Sequence, residues 1–284
     1  MVTGHHLTIR KVKIKNSSIS LNKSKENKLS IQFNLDGFSF CIHNPGIKKD
    51  VYFSEYAFEE TLKTPEELLE KIKETFKKDT ILQKDFSEVI VIHQNNLNTL
   101  VPNMFFKETH LKTYLNGNIK TLATDFITFD EIKTIGANNV YIPYVNINNY
   151  FFQHFGEFEY KHHITALIEK IVKLSMAKEK TMFVNVSKSS IDILVTENNT
   201  LLLANSFQYN SKEDFIYYIL FVAEQLQLDT DALSLYFTGA ISVNSDIYKI
   251  AFTYIRNIYF LESNNAIFAN LNMQKHTNYI LLGT

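Results

Sequence analysis

The sequence runs through the same succession of secondary-structure patterns twice. Residues 28–93 and residues 181–239 each predict three strands, a capped helix and a fourth strand. Matching points are separated by a nearly constant distance: Asn34 and Asn185 are 151 residues apart, and the helix starts Thr64 and Ser211 are 147 residues apart. A duplicated βββαβ unit predicts an α/β protein with two related lobes that face each other across a cleft.

Local signals support both copies. Asp36-Gly37 lies between two alternating apolar runs and predicts the tight turn of a β-hairpin. Thr64 is followed by proline and two glutamates, which is typical of a helix start. In the second copy Ser211 has the position of an N-cap and Asp214 the third helical position. Each copy therefore predicts one amphipathic helix packed on its own strands.

Other segments have weaker patterns. We predict a strand at 7–14, a helix from Pro102 to about 116–118, a strand at 140–145, a helix at 163–178, a helix at 244–256, a strand at 258–261 and a last strand at 278–282. No Pro-, Gly- or Ser-rich linker separates the copies. We place the lobes at residues 1–160 and 161–284 and expect a helix to join them.

The bulk composition excludes several classes of function. The net charge is −1 and only two of the 29 basic residues are arginine, which disfavours nucleic-acid binding. Cys41, the single cysteine, excludes an internal disulfide, and we expect it to be a packed thiol. The first 15 residues have no apolar core of a secretory signal, and the longest apolar run, 215–223, is far shorter than the roughly 20 residues of a membrane span. We expect a cytoplasmic protein without a transmembrane segment.

Three segments carry a family resemblance. The run Asn-Val-Ser-Lys-Ser-Ser-Ile-Asp-Ile at 185–193 lies between two apolar strands and resembles the second phosphate loop of the actin-like ATPase superfamily, Asp-Ile-Gly-Gly-Gly-Thr-Thr-Asp-Ile. Thr238-Gly239-Ala240 resembles its adenosine motif, and residues 34–37 stand where its first phosphate loop begins. The resemblance implies a two-lobed, ribonuclease H-like fold. It also implies a nucleotide site formed by Asp36, Gly37, Asn185, Ser187, Lys188, Ser189, Ser190 and Gly239.

The departures from that pattern concern the residues that hold phosphate and metal. Glycines allow backbone N–H groups to approach phosphate oxygens, and their three positions are here Ser187, Lys188 and Ser189. The leading carboxylate is replaced by Asn185, and its counterpart in the first copy is Asn34. We therefore predict a degenerate nucleotide site that holds no cofactor and no metal ion.

The whole chain is also similar to a family of uncharacterised actin-like proteins found in Bacteroidota, and more distantly to the actin-like proteins of pilus and secretion assembly. The similarity rests on the hairpin at 31–42, on Leu-Val-Pro at 100–102, on Tyr-Ile-Pro at 141–143 and on His276 before 279–282. It implies an actin-like fold and no defined activity. The favoured hypothesis is a non-catalytic scaffold that binds a protein partner; the alternatives are an ATP-dependent enzyme with a remodelled phosphate site and a module that binds a small molecule.

Several residues allow two interpretations. Asp36 and Lys188 are either site residues or ordinary turn residues, and Asp192 is either the trailing acid of the loop or a solvent-facing strand residue, which we favour. His162 and His163 are expected at the surface or as helix caps, because neighbours on a helix point about 100° apart. The aromatic segment Tyr150–Tyr160 is either packed between the lobes or exposed as a partner surface.

Overall fold

The computed structural model describes residues 8–15, 25–174, 179–263 and 274–282, with the backbone alone for 8–15. The strands are β1 (Thr8–Lys15), β2 (Lys28–Asn34), β3 (Gly37–Asn44), β4 (Lys49–Phe58), β5 (Glu88–His93), β6 (Asn98–Pro102), β7 (Thr128–Ile132), β8 (Ala137–Tyr141), β9 (Glu159–His162), β10 (Thr181–Val186), β11 (Ser190–Glu197), β12 (Thr200–Gln208), β13 (Ser234–Gly239) and β14 (Asn257–Phe260). The helices are α1 (Pro65–Lys78), α2 (Leu111–Leu115), α3 (Val145–Phe155), α4 (His163–Lys173), α5 (Lys212–Gln225) and α6 (Asp246–Tyr254).

Two large sheets repeat one topology. The first has the strand order β1-β4-β3-β2-β5-β9 and the second has the order β12-β11-β10-β13-β14. In each, the first three strands of the unit are antiparallel neighbours and the next two strands are parallel. Without β1, the two orders are the same, which confirms the duplicated βββαβ unit. The expected division of the lobes between residues 160 and 161 falls within β9 of the first sheet. That boundary stays a prediction.

The expected helix starts are present. Thr64 accepts a hydrogen bond from the backbone N–H of Glu67 at 3.3 Å, and α1 buries Leu68, Ile72 and Phe76 against the first sheet. Ser211 and Asp214 form a reciprocal capping box at the start of α5. These caps satisfy backbone donors that the first helical turn leaves without partners, so each helix begins where the sequence places it.

Three elements differ from the sequence prediction. Instead of a long helix after Pro102, the chain has short 3-10 turns and the five-residue helix α2. Strands β6, β8 and β7 form a third, antiparallel sheet, of which the sequence indicated one strand, at 140–145 instead of the Ala137–Tyr141 of β8. Residues 278–282 are turns and not a strand, because the carbonyl groups there accept from the Lys170 ammonium instead of from a neighbouring strand.

A shared apolar cluster joins the two large sheets. It includes Phe53 and Ile92 from the first sheet, Ile168 from α4, Phe183 from the second sheet and Leu281 near the C-terminus, and all five are almost fully buried. Burial of each such side chain contributes about 1.5–3 kcal/mol relative to exposure. The helix α4 therefore connects the sheets as part of a core, as expected for a helical joint. Cys41 lies in the same cluster, which confirms that it is a packed thiol.

Candidate functional site

A cleft of about 690 Å³ lies where the tips of the two hairpins β2–β3 and β10–β11 approach each other. Of the residues that the family resemblance selected, the cleft wall contains Asp36, Gly37, Asn185, Ser187, Lys188 and Gly239. Ser189 and Ser190 are not part of the wall. The sequence therefore identified residues from both copies that the fold brings to one cavity.

The first hairpin turn consists of Leu35 and Asp36, because Asn34 and Gly37 are paired across β2 and β3. This corrects the prediction that Asp36 and Gly37 are the two turn residues. The Asn34 side chain accepts from the Asp36 N–H at 2.8 Å and thereby stabilises the turn. Gly37 has a different requirement: a Cβ atom there would lie 2.7 Å from the carbonyl oxygen of Tyr56 on β4. Its glycine is explained by strand packing without any ligand.

The second turn is closed by its own backbone. The Ser187 N–H donates to the Ser190 carbonyl at 2.9 Å, and the Tyr209 N–H donates to the Ser189 carbonyl at 3.0 Å. The Tyr209 hydroxyl donates to the Ser187 carbonyl at 2.7 Å. Lys188, at the tip, extends towards the first turn and lies 3.9 Å from an Asp36 carboxylate oxygen. The two turns thus face each other with opposite charges.

Asp192 is buried, with 2% of its surface exposed, so the expectation that it faces solvent is wrong. Its carboxylate accepts from Asn185 Nδ2 at 2.9 Å, from the Ser206 hydroxyl at 2.6 Å and lies 3.1 Å from His163 Nε2. Burial alone would raise the pKa of Asp192, but the attraction of His163 and these hydrogen bonds lower it. The residue joins β10, β11, β12 and α4.

His163 is likewise buried, and its Nδ1 has no hydrogen-bond partner within the described residues. The neighbouring His162 caps α4 by accepting from the Ile164 N–H, so the cap prediction holds for His162 and a surface position holds for neither. Burial lowers the pKa of His162, and it lowers the pKa of His93 to about 4. Within the described ranges, no cluster of three or more His, Cys, Asp or Glu side chains is placed to hold a metal ion.

The adenosine-like turn is held by the C-terminal segment. Gly239 has φ +85°, and a Cβ atom there would lie 2.2 Å from the Val186 carbonyl oxygen. The His276 carbonyl accepts from the Gly239 N–H at 2.9 Å and from the Thr238 hydroxyl at 2.7 Å. His276 Nε2 lies 2.7 Å from the Ile241 carbonyl oxygen, and its ring stacks on Phe260. The turn therefore uses its own donors to bind another part of the chain.

The same segment continues along the cleft to the first lobe. Residues 277–280 form part of the cleft wall, and Asn278 donates to Glu55 on β4 at 3.0 Å. The Lys170 ammonium on α4 donates to the carbonyls of Tyr279, Ile280 and Leu282 at 2.7–2.9 Å. Burial lowers the pKa of Lys170 to about 8. The segment 276–282 thus contacts both lobes and the helix between them.

Gln94 is a cleft residue that the sequence analysis missed. It accepts from Gln32 at 2.7 Å and from Asn34 at 3.2 Å, and it donates to the Ser187 hydroxyl at 2.8 Å. Its side chain connects the first lobe to the tip of the second hairpin. A glutamine directly after a buried strand is a weak signal, because only the facing lobe gives it a partner.

The aromatic segment Tyr150–Tyr160 is mainly core. Phe151 is fully buried, and Tyr150, Phe155, Phe158 and Tyr160 are partly buried against the first lobe. Among its Phe and Tyr side chains, Phe152 alone is strongly exposed, with 62% of its surface accessible. Core packing therefore explains most of the aromatic residues in this segment. Of these rings, only that of Phe152 is left to form a contact surface.

Comparison with known proteins places the chain among actin-like folds. Residues 16–258 match the family described as protein of unknown function (DUF3822). A protein from Bacteroides thetaiotaomicron VPI-5482, with actin-like ATPase fold and unknown function, has a TM-score of 0.78 at 26% identity, covering 86% of this chain and 93% of that one. The type IV pilus biogenesis complex PilM–PilN gives a TM-score of 0.56 at 10% identity, with 84% and 89% covered.

A more distant structure is the cytoplasmic domain of EpsL, an inner membrane component of the type II secretion system of Vibrio cholerae, with a TM-score of 0.42 at 12% identity and 76% and 83% covered. No curated protein matches the sequence. Across the described residues, no helix is long and apolar enough to cross a bilayer. The two-lobed, ribonuclease H-like architecture inferred from the sequence is confirmed by the fold comparison.

Proposed function

The chain belongs to the DUF3822 family of proteins of unknown function and has the actin-like ATPase fold, and on that premise we propose that it is a non-catalytic scaffold whose nucleotide site is degenerate. The observation that carries the proposal is the C-terminal segment in the cleft. Its His276 carbonyl accepts hydrogen bonds from the Gly239 N–H and the Thr238 hydroxyl, which are donors of the turn that resembles the adenosine motif. A nucleotide at this turn would compete with the protein's own hydrogen bonds.

The charge of the cleft also supports this proposal. Three carboxylates, those of Asp36, Glu55 and Glu59, lie in its wall, and Lys188 is the only cation among the described residues there. A triphosphate without a metal ion would be repelled by the net negative charge of the cleft wall. Asn185 has an amide in place of the carboxylate that would help to bind a metal, and its Nδ2 donates to Asp192. The acceptor in that hydrogen bond is the carboxylate of Asp192.

The second candidate is an ATP-dependent enzyme with a remodelled phosphate site. The cleft volume of about 690 Å³ favours it, because small-molecule sites commonly measure about 300–1,000 Å³. Lys188 could contact a phosphate after leaving Asp36, since their 3.9 Å ion pair is partly exposed and such pairs are weak, about 0–1 kcal/mol.

A thermal-shift titration with Mg-ATP separates these candidates. A ligand present at 100 times its Kd adds about 2.7 kcal/mol of stability, which for a chain of this size raises Tm by about 4–5 °C. We expect a shift below about 1 °C at millimolar Mg-ATP. A rise of about 4 °C or more that disappears in Lys188→Ala would refute the degenerate site, and the unchanged circular dichroism spectrum of that variant would serve as its folding control.

A role in binding another protein completes the proposal. PilM is found in a complex with PilN, and by analogy we propose that this chain also acts by contacting a protein partner. The small number of arginines, two among 29 basic residues, argues against nucleic acid as the partner. We further propose that the chain is a cytoplasmic protein of Bacteroidota, which is consistent with its single buried free thiol and its similarity to the Bacteroides protein.

A further inference from the structure

Strand β12 is an outer strand whose one interruption is a bulge at Leu202, where its register with β11 shifts. It has nine residues, TLLLANSFQ, without a charge or a proline. Outer strands are normally short, charged or interrupted by proline, because their outward backbone groups can pair with another chain. The outer strands β1 and β7 carry charged residues, β6 ends in a proline, and β9 and β14 have only four residues each. Among the described strands, β12 is therefore the exceptional edge.

A groove runs along this edge. It has a volume of about 720 Å³, and the continuous run Leu201–Ser206 of β12 forms one wall while residues 98–102, in β6, contribute to the other. None of its wall residues within the described chain carries a charge. A charged occupant would lose its hydration without an opposite charge to compensate, so the groove favours an uncharged occupant.

The pairing of β12 with β11 shows which backbone groups point into the groove. The Tyr209 N–H donates to the Ser189 carbonyl, and hydrogen-bonded pairs alternate along an antiparallel ladder. In the observed register, Phe207, Asn205 and Leu203 then pair with β11, while Ser206 and Ala204 direct their backbone groups outward. The Ser206 N–H indeed donates to the side chain of its neighbour Asn205 and not to β11.

The dimensions fit one added strand. Six residues of extended chain span about 17 Å from first to last Cα. The groove therefore follows β12 over the length of an average strand. If a second copy of this protein paired with β12, the sheet behind its pairing strand would collide with β6. A separate peptide segment therefore fits better than a second copy.

We propose that an extended, uncharged peptide segment of a partner protein binds in this groove as an additional strand beside β12. Its backbone pairs with the N–H and carbonyl of Ala204 and with the Ser206 carbonyl, because the Ser206 N–H is hydrogen-bonded to Asn205. Apolar side chains at alternate positions contact Leu202 and the opposite wall. This form of recognition obtains affinity from main-chain hydrogen bonds and specificity from the groove walls. The inference rests on the proposed protein-binding role and gives that role a location and a partner chemistry.

The test uses a phage-displayed library of random ten-residue peptides selected against the full chain. Enriched sequences are synthesised with a fluorescent label, and their binding is measured by fluorescence anisotropy. Ala204→Pro removes an outward N–H at an edge position where proline is tolerated, and Ala204→Ser is the matched control that keeps it. We expect Ala204→Pro to weaken binding at least about tenfold, the order of one or two lost hydrogen bonds, and Ala204→Ser to retain it.

Leu202→Glu provides a second variant if Ala204→Pro fails to fold, since Leu202 is 39% exposed. A carboxylate there should also weaken binding at least about tenfold, because it would lie in an uncharged groove. Hydrogen exchange should slow at residues 202–206 when a peptide is bound. The proposal is overturned if no enriched peptide depends on residue 202 or 204, if exchange slows only elsewhere, or if sedimentation shows that β12 instead mediates a dimer that Ala204→Pro dissolves.

Mg-ATP is titrated into the same protein as a separate measurement. Nucleotide binding together with intact peptide binding would refute the degenerate site and leave the β12 groove in place. Absence of both would refute the groove alone.

Discussion

Replacement of Asp192 by asparagine should destabilise the protein because it removes one buried charge. The side chain is 2% exposed, and its two oxygens interact with Asn185, Ser206 and His163 at 2.6–3.1 Å. Asparagine has nearly the same shape and can place its oxygen towards Asn185 and His163 and its NH₂ towards the Ser206 hydroxyl, which can rotate to accept. The variant therefore keeps the packing and loses the negative charge beside His163.

Each hydrogen bond to a charged group contributes about 1.5–3 kcal/mol. Because Asp192→Asn keeps hydrogen-bond partners and loses only the charge, we expect a loss of about 2–3 kcal/mol. Asp192→Ala leaves Asn185, Ser206 and His163 without their acceptor, so we expect a loss of about 5 kcal/mol or failure to fold. Urea unfolding followed by far-UV circular dichroism is the suitable assay, since the chain contains no tryptophan. The exposed Asp246→Asn is the matched control, with an expected change below about 0.5 kcal/mol.

The pH dependence supplies an independent check. Because the pKa of Asp192 is lowered in the folded chain, its ionised form stabilises the fold at pH values above the unfolded pKa of about 3.9. This contribution is lost as the pH falls through the lower folded pKa. The stability difference between the wild-type protein and Asp192→Asn should therefore be constant near neutral pH and shrink below about pH 4. A difference under about 1 kcal/mol at pH 7 would contradict a stabilising role of the Asp192 carboxylate.

Two further changes test the C-terminal segment and the adenosine-like turn. Lys170→Met should speed hydrogen exchange of residues 276–282, because three carbonyls lose their donor. Burial lowers the Lys170 pKa to about 8, whereas the unfolded value is about 10.4. The stability of the wild-type protein should therefore increase with pH between these two values, and the methionine variant should lack this increase. Equal pH profiles would contradict this. Gly239→Ala should cost more than about 2 kcal/mol in urea unfolding, because strain at φ +85° adds to a 2.2 Å approach to Val186. The control Gly136→Ala has φ +61° and ψ +41° with open space around the new Cβ and should lose only about 1–2 kcal/mol; equal losses would show that the clash is relieved.

Local patterns determined a large part of this fold. Thr64 and Ser211 mark their helices because a side-chain cap acts within three or four residues, and the alternation along 31–42 marks a hairpin because strand side chains repeat every two residues. Repetition of these signals was sufficient to infer the duplicated unit. The resemblance to phosphate loops then selected residues of both copies, such as Asp36 and Lys188, that meet in one cleft.

Only the tertiary structure decided which groups obtain partners far along the chain. Asp192 alternates like any strand residue, and it is buried because α4 brings His163, 29 residues away in sequence, against it. Residues 278–282 read as a strand, yet their carbonyls accept from Lys170, about 110 residues earlier. Gln94 and Ser187 form a bond across 93 residues of sequence. The periodicity of a sequence indicates which face of an element is apolar. Whether a polar group can be buried depends on the hydrogen-bond partners that distant parts of the chain place opposite it.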